Sequence, residues 1–243
     1  YFQNGKCLNK KTKNFISVFI PTYSYGHGLK IVDLIKVCKK YKIEVLEDSS
    51  EALGTYPYKK HAGTFAKVGV LSFNGNKIIT SSSGGAILTS SKKFANLANH
   101  LVKTAKKIKN DSKIHTQLGY NYRITNMNAA LGLSQINRIK NILDLKRKLK
   151  VKLSRSIKEI NEYFEIFDEP VDCKSNYWIQ LLVIKKIFSA NEIIKFLNKN
   201  NIQCQSCWMP VDKFKYLRNY PKMKLKNSTL YRKKFILLPS NTF

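Results

Sequence analysis

Four short stretches of the 243-residue chain carry residue types that could do chemistry: E-D-S-S-E-A-L-G (Glu47 to Gly54), S-F-N-G-N-K (Ser72 to Lys77), the loop ending in Gly84-Gly85, and G-Y-N-Y-R (Gly119 to Arg123). Each alone is weak, because a strand-end aspartate is commonly a cap and a lysine five residues past a serine is commonplace. Together they offer a lysine amine, a carboxylate and hydroxyl donors, the set that pyridoxal phosphate needs. That cofactor requires a lysine to form an imine, a carboxylate to keep the ring nitrogen protonated, and donors for a phosphate dianion. The imine lysine must be partly desolvated so that its amine can attack and later move a proton. Asp48 can supply the carboxylate, Ser72 can donate to phosphate, and Lys77 sits on a loop that can reach over the ring.

The elements that must position these groups follow from the apolar pattern. Phe15 to Pro21 is a short apolar, β-branched run and reads as a buried strand, and Ile43 to Glu47 reads as a second. Between them Ile31, Leu34, Ile35 and Cys38 recur at helical spacing. Strand, helix and strand in this order form a βαβ unit, a parallel pair with a right-handed crossover, whose ligands sit at the carboxyl ends of the strands. Asp48 lies at that edge. Val68 to Phe73 and Ala86 to Thr89 are further strand candidates, joined by the loop that carries Lys77. Phe94 to Val102 reads as a helix. From about Asn126 to Ile160 the apolar positions keep a helical period, as one long helix or two with a bend. Beyond it come strands near Tyr177 to Ile184 and a helix from Ala190, with Ser189 and Glu192 spaced as a capping box.

Three separate stretches, VLEDSSEALGTY, GTFAKVGVLSFNGNKIIT and LGYNYRITNMNAALGLSQINRI, resemble in order the motifs of the DegT/StrS family of nucleotide-sugar aminotransferases. The resemblance runs from about Asn4 to the end of the chain. It implies an α/β, pyridoxal-phosphate-dependent transferase type I fold, a mixed and largely parallel sheet flanked by helices, with a smaller C-terminal α/β domain. On that reading residues 1–145 belong to the large cofactor domain and 146–243 to the small one. The resemblance also implies Lys77 as the imine lysine, Asp48 on the pyridine nitrogen, Glu51 on the ring hydroxyl and Ser72 on the phosphate. Asn121 would reach the phosphate of the neighbouring subunit's pyridoxal 5'-phosphate, in a homodimer with shared active sites. The implied reaction moves an amino group, from glutamate, to a nucleotide-linked keto sugar such as a UDP-4-keto-6-deoxy sugar of bacterial surface glycans. The family's N-terminal segment, with a phosphate-binding turn and a ring-stacking aromatic, is expected upstream of Tyr1.

Several positions depart from the family pattern. Ser82 and Ser83 stand where glycine, or glycine then glutamate, is usual, and serine tolerates positive φ poorly. Ala66 and Lys67 replace a common Gly-Asp. Tyr23 replaces a frequent histidine, and Gln205 and Asp212 lie near positions often held by arginine and histidine. These departures admit a second reading, a family member that keeps the fold without turnover. Lys77 argues against the family's dehydratase branch, which has histidine there.

A net charge of +29 admits a reading of another class, a basic nucleic-acid-binding protein. Only six of the 44 basic residues are arginine, however, and the lysines are spread over nearly every segment. Base and phosphate recognition favours arginine's bidentate fork, so solvated lysine faces explain the charge better. No apolar run is long enough to span a bilayer, so no membrane partner is expected. Five scattered cysteines fit reduced thiols in a cytoplasm rather than a disulfide framework. Cys204 and Cys207 have CxxC spacing, but no second pair follows, and a strand running toward Trp208 explains them better than zinc or redox work. Trp178 and Trp208 are either cleft-lining or core residues.

Overall fold

The computed structural model describes residues 1–109, 112–186 and 188–241. Its first sheet has four strands in the order β1 (Val18–Phe19), β2 (Glu44–Asp48), β3 (Val68–Ser72) and β4 (Gly85–Leu88). The first three are parallel and β4 runs antiparallel to β3. The crossover from β1 to β2 is α1 (Ile31–Lys40), which buries Ile31 and Cys38. Because β2 and β3 are parallel and in register at Asp48 opposite Val70, their carboxyl ends open on the same edge of the sheet. Asp48 is the last residue of β2 and Ser72 the last of β3.

The run Phe15 to Pro21 does not form the buried strand its composition suggests. Only Val18 and Phe19 pair, and Phe15, Val18, Phe19 and Ile20 are exposed. The cause is position rather than residue type: β1 is an edge strand, and among the described residues no strand pairs with its outer side.

After β4 come α2 (Lys92–Val102), capped by the Ser91 hydroxyl, and an antiparallel pair of Lys106–Lys109 with Ser112–His115. Of the two arrangements the apolar period allows, the chain forms two helices, α3 (Asn126–Ile136) and α4 (Ile139–Ser156), parted at Asn137 and Arg138. The first turn of α4 packs Ile139, Ile142 and Leu143 against Ile78, Ile79 and Trp178. Its last turns put Leu153, and just past its end Ile157, on the core of a second sheet. Residue 145 thus lies inside α4, which packs near its start on the Lys77 loop and Trp178 and near its end on the second sheet.

The second sheet is antiparallel, in the order β5 (Phe164–Ile166), β6 (Gln180–Ile184), β8 (Phe235–Leu238) and β7 (Gln205–Ser206). Every residue of β6 is buried because the sheet is covered on both faces. One face packs Ile166, Leu182, Ile184, Cys204 and Ile236 against α4 and α5 (Ala190–Lys199); the other carries Leu181, Cys207 and Leu237. Cys204 and Cys207 are therefore core residues of opposite faces, and both are free thiols. Ser189 is the cap residue of α5, but the expected capping box does not form. Its side chain makes no cap hydrogen bond, and the main-chain N–H groups of Glu192 and Ile193 donate to the Ser189 carbonyl, each at 3.1 Å. A two-residue antiparallel pair, Tyr56–Pro57 with Cys173–Lys174, ties the strand edge of the first sheet to the segment entering β6.

Candidate active site

Lys77 sits in the loop between β3 and β4. Its N–H donates to the Asn74 carbonyl at 3.1 Å, and the following Ile78 and Ile79 are buried, so the lysine stem is anchored at a fixed point of the core. Its Nζ lies 3.4 Å from Glu51 Oε1 and 4.2 Å from the centroid of the Trp178 ring. Only 14% of each side chain of the Lys77–Glu51 pair is exposed. Glu51 comes from the turn after β2, where the Tyr25 N–H donates to its Oε2 at 2.7 Å. Burial holds the Glu51 carboxyl above the usual carboxylate range, against the opposing pull of the Tyr25 N–H and of Lys77.

Asp48 projects from the end of β2. Its Oδ1 accepts from the Ser50 N–H at 3.2 Å and hydroxyl at 2.5 Å, while Oδ2 has only a 3.5 Å contact with the Thr22 hydroxyl. Ser72 Oγ accepts from the Asn74 N–H at 3.3 Å, which leaves its own O–H for another acceptor. Sheet and loop thus bring Asp48, Glu51, Ser72 and Lys77 to one edge. Asn121 is not part of that group. It is exposed, bridges to Lys103, shares no hydrogen bond with the other four, and lies among outward-facing Leu118, Tyr122 and Met127.

An aromatic wall completes the site, and sequence reasoning left its members open. Trp178 is buried at 4% exposure and donates from Nε1 to the Asn76 carbonyl at 2.6 Å. Trp208 is half exposed, 5.8 Å from Trp178 between ring centres, and stacks on Tyr25 at 4.8 Å. A cleft of about 700 Å³ opens beside this wall, lined by Lys77, Arg138, Lys146 and Trp178; Asp48, Glu51 and Ser72 are outside its lining. Lys146 is a buried ammonium with no carboxylate partner among the described residues. It donates to the carbonyls of Trp178 at 2.9 Å and Ser240 at 2.6 Å, and burial lowers its pKa to about 8.

Several of the residues that break the family pattern have structural accounts, and Ser83 and Gln205 have none. Tyr23 is fully buried and donates to Glu47 Oε2 at 2.6 Å. Glu47, also fully buried, accepts further from the N–H groups of Gly63, Phe65 and Ala66 at 2.6–2.9 Å. This buried carboxylate gave no signal in the sequence beyond its place one residue before Asp48. Lys67 pairs with Glu44 at 2.9 Å on the surface. Ser82 adopts φ +69°, so serine does stand in the left-handed region, and Gly84 follows at φ +102°. The Ser82 N–H donates to Thr80 Oγ1 at 2.8 Å, which holds the turn. Gln205 is exposed on β7, and Asp212 lies 3.4 Å from Lys213.

The βαβ-built, largely parallel sheet thus carries a largely buried lysine–carboxylate pair at the carboxyl ends of its strands, an arrangement able to hold a cofactor that forms an imine with lysine. Comparison with known proteins agrees. The model of the DegT/DnrJ/EryC1/StrS aminotransferase family matches residues 6–242, and the chain belongs to that family. It is 30% identical to GDP-perosamine synthase of Vibrio cholerae, over 96% of this chain and 62% of that protein. It is 29% identical to the putative pyridoxal phosphate-dependent aminotransferase EpsN of Bacillus subtilis, over 83% of this chain and 52% of that protein. Among solved structures it superposes on Helicobacter pylori PseC, an aminotransferase involved in the biosynthesis of pseudoaminic acid. The TM-score is 0.85 at 25% identity, over 92% of this chain and 61% of that one. The chain thus spans roughly half to three-fifths of the length of the relatives it matches.

Proposed function

We propose that this chain is part of an aminotransferase that uses pyridoxal 5'-phosphate to move an amino group from an amino acid, glutamate, to a nucleotide-linked keto sugar in bacterial surface-glycan synthesis. One observation carries the reading: Lys77 Nζ is buried between Glu51 and Trp178, beside the strand ends that bear Asp48 and Ser72. The donor set suits the cofactor. The lightly bonded Asp48 Oδ2 can hold a proton on the ring nitrogen, and the free Ser72 O–H can donate to the phosphate. Glu51 would face the ring hydroxyl, and its raised pKa suits a carboxyl that shares a proton there.

When bound, pyridoxal phosphate supplies an electron sink for the pair left at the substrate carbon. The chain supplies the proton chemistry and the dry setting. Lys77 Nζ takes a proton from the carbon that carries the donor's amino group and delivers one to the former keto carbon of the sugar. The indole face of Trp178 shields that amine from water. Asn121, exposed on its own subunit, would serve the partner's site in a homodimer, and the free thiols suit the cytoplasm. The names of the relatives support the substrate class, since GDP-perosamine synthase and UDP-4-amino-4,6-dideoxy-N-acetyl-beta-L-altrosamine transaminase both specify nucleotide sugars. The test is borohydride reduction of the cofactor-treated full-length protein followed by peptide mapping. Pyridoxyl on Lys77 supports the reading, and pyridoxyl on another lysine overturns it.

A further inference from the structure

Asn176 is 1% exposed and stands at the entry to β6. All its side-chain bonds go to main chain: Nδ2 donates to the carbonyls of Glu51 at 2.8 Å and Leu53 at 2.9 Å, and Oδ1 accepts from the Trp178 N–H at 2.8 Å. Its own N–H donates to Thr55 Oγ1 at 3.1 Å, and that hydroxyl donates to the Gly26 carbonyl at 2.7 Å. A Cβ on Gly26 would lie 1.8 Å from Asn176 Oδ1, so glycine there is what admits the amide. Glu51 and Trp178 are the two walls of the Lys77 amine, and they come from distant parts of the chain. One planar amide is bonded to the backbone of both.

We propose that Asn176 is a positioning residue that sets the separation of Glu51 and Trp178 and thereby the burial and ionic environment of Lys77 Nζ. Residue type matters. Two donors and one acceptor in a fixed plane match two carbonyls and one N–H, which only asparagine does at this length. Aspartate lacks the donors, serine is too short to bridge, and alanine leaves two buried carbonyls and an N–H without partners. The role matters for catalysis because Lys77 is the reactive lysine of the proposed function, but its test uses neither cofactor nor turnover.

The full-length protein, free of cofactor, is methylated with formaldehyde and cyanoborohydride over a range of pH, and the rate at Lys77 is read by peptide mapping against the exposed, Glu44-paired Lys67. In the wild type Lys77 should react more slowly than Lys67. Asn176→Ala, which removes all three side-chain bonds, should raise the Lys77/Lys67 ratio about tenfold. Asn176→Ser should fall between. The same change made in Glu51→Gln or Trp178→Phe should add less than in the wild type, because one wall is already altered. An Asn176→Ala chain that unfolds cooperatively with an unchanged ratio overturns the proposal, and so does an equal rise at every lysine, which reports general loosening. If Asn176→Ala does not fold, Asn176→Ser, which keeps a neutral donor and acceptor, decides by the same ratio. Pyridoxyl mapping to another lysine while this ratio still responds would remove the aminotransferase assignment and leave the positioning role standing.

Discussion

Trp178 holds Lys77 from two directions: its ring lies 4.2 Å from the lysine Nζ, and its indole N–H donates at 2.6 Å to the carbonyl of Asn76, the preceding residue. Trp178→Phe keeps an aromatic ring but loses the indole volume and the donor to the Asn76 carbonyl. It should cost about 1–3 kcal/mol, while Trp178→Ala, which also opens a cavity, should cost about 3–5 kcal/mol. Urea unfolding of the two variants checks the order.

Glu47 is a buried carboxylate that accepts from four donors, the Tyr23 hydroxyl and three main-chain N–H groups. Whichever way it is turned, Glu47→Gln sets an amide NH₂ against at least one main-chain N–H, which can only donate. It should destabilise by about 3 kcal/mol, and Tyr23→Phe by about 1 kcal/mol. Equal losses for the two, measured by denaturant unfolding, would contradict the network.

Ser82 is held at φ +69°, which glycine adopts freely and serine does not. Ser82→Gly should therefore stabilise the chain, by about 0.5 kcal/mol after allowing for glycine's greater freedom when unfolded. Ser83→Gly, at a residue without positive φ, should be destabilising. Paired melting curves separate the two outcomes.

His27 is buried, with Nδ1 3.1 Å from Ser175 Oγ and its ring against Phe167 and Tyr177. Burial lowers its pKa from 6.5 to about 4, so the unfolded chain takes up the proton first. Stability is complete above pH 6.5 and falls as pH drops toward 4, by on the order of 3 kcal/mol in all. His61, also lowered by burial, adds to the same slope. Unfolding free energies at several pH values should show a shallower slope for His27→Asn.

The +29 charge should give only weak, sequence-indifferent DNA binding that collapses with added salt, because counterion release would be its only driving force. Binding isotherms for two unrelated duplexes between low and physiological salt test this. A tight, sequence-selective complex at physiological salt would sink the assignment.

Much of the site was legible because its parts are local. The end of β2 follows from a short apolar run that stops at Asp48, the run from Val68 reads one residue past the end of β3 at Ser72, and Lys77 stands in a motif counted from Ser72. The βαβ unit, α4 and α5 follow from apolar period, which each segment writes into its own residues. The burial of β1 did not, since a short apolar run reads the same whether a neighbour covers it or not. The α5 capping box failed for a related reason: the residue types were present, but the first turn closes through main-chain bonds to the Ser189 carbonyl.

What only the tertiary structure decided is which distant groups meet. Nothing near Glu51 in the chain announces that Trp178 will form the other wall of Lys77, or that Asn176 will bond to both. Glu47 looks like any strand carboxylate until the Gly63–Ala66 loop turns three N–H groups toward it. Residue type and spacing set the chemistry that Asp48, Glu51, Ser72 and Lys77 can offer. The burial and contacts that make Lys77 a guarded amine arise from packing between segments far apart in sequence, which no local period encodes.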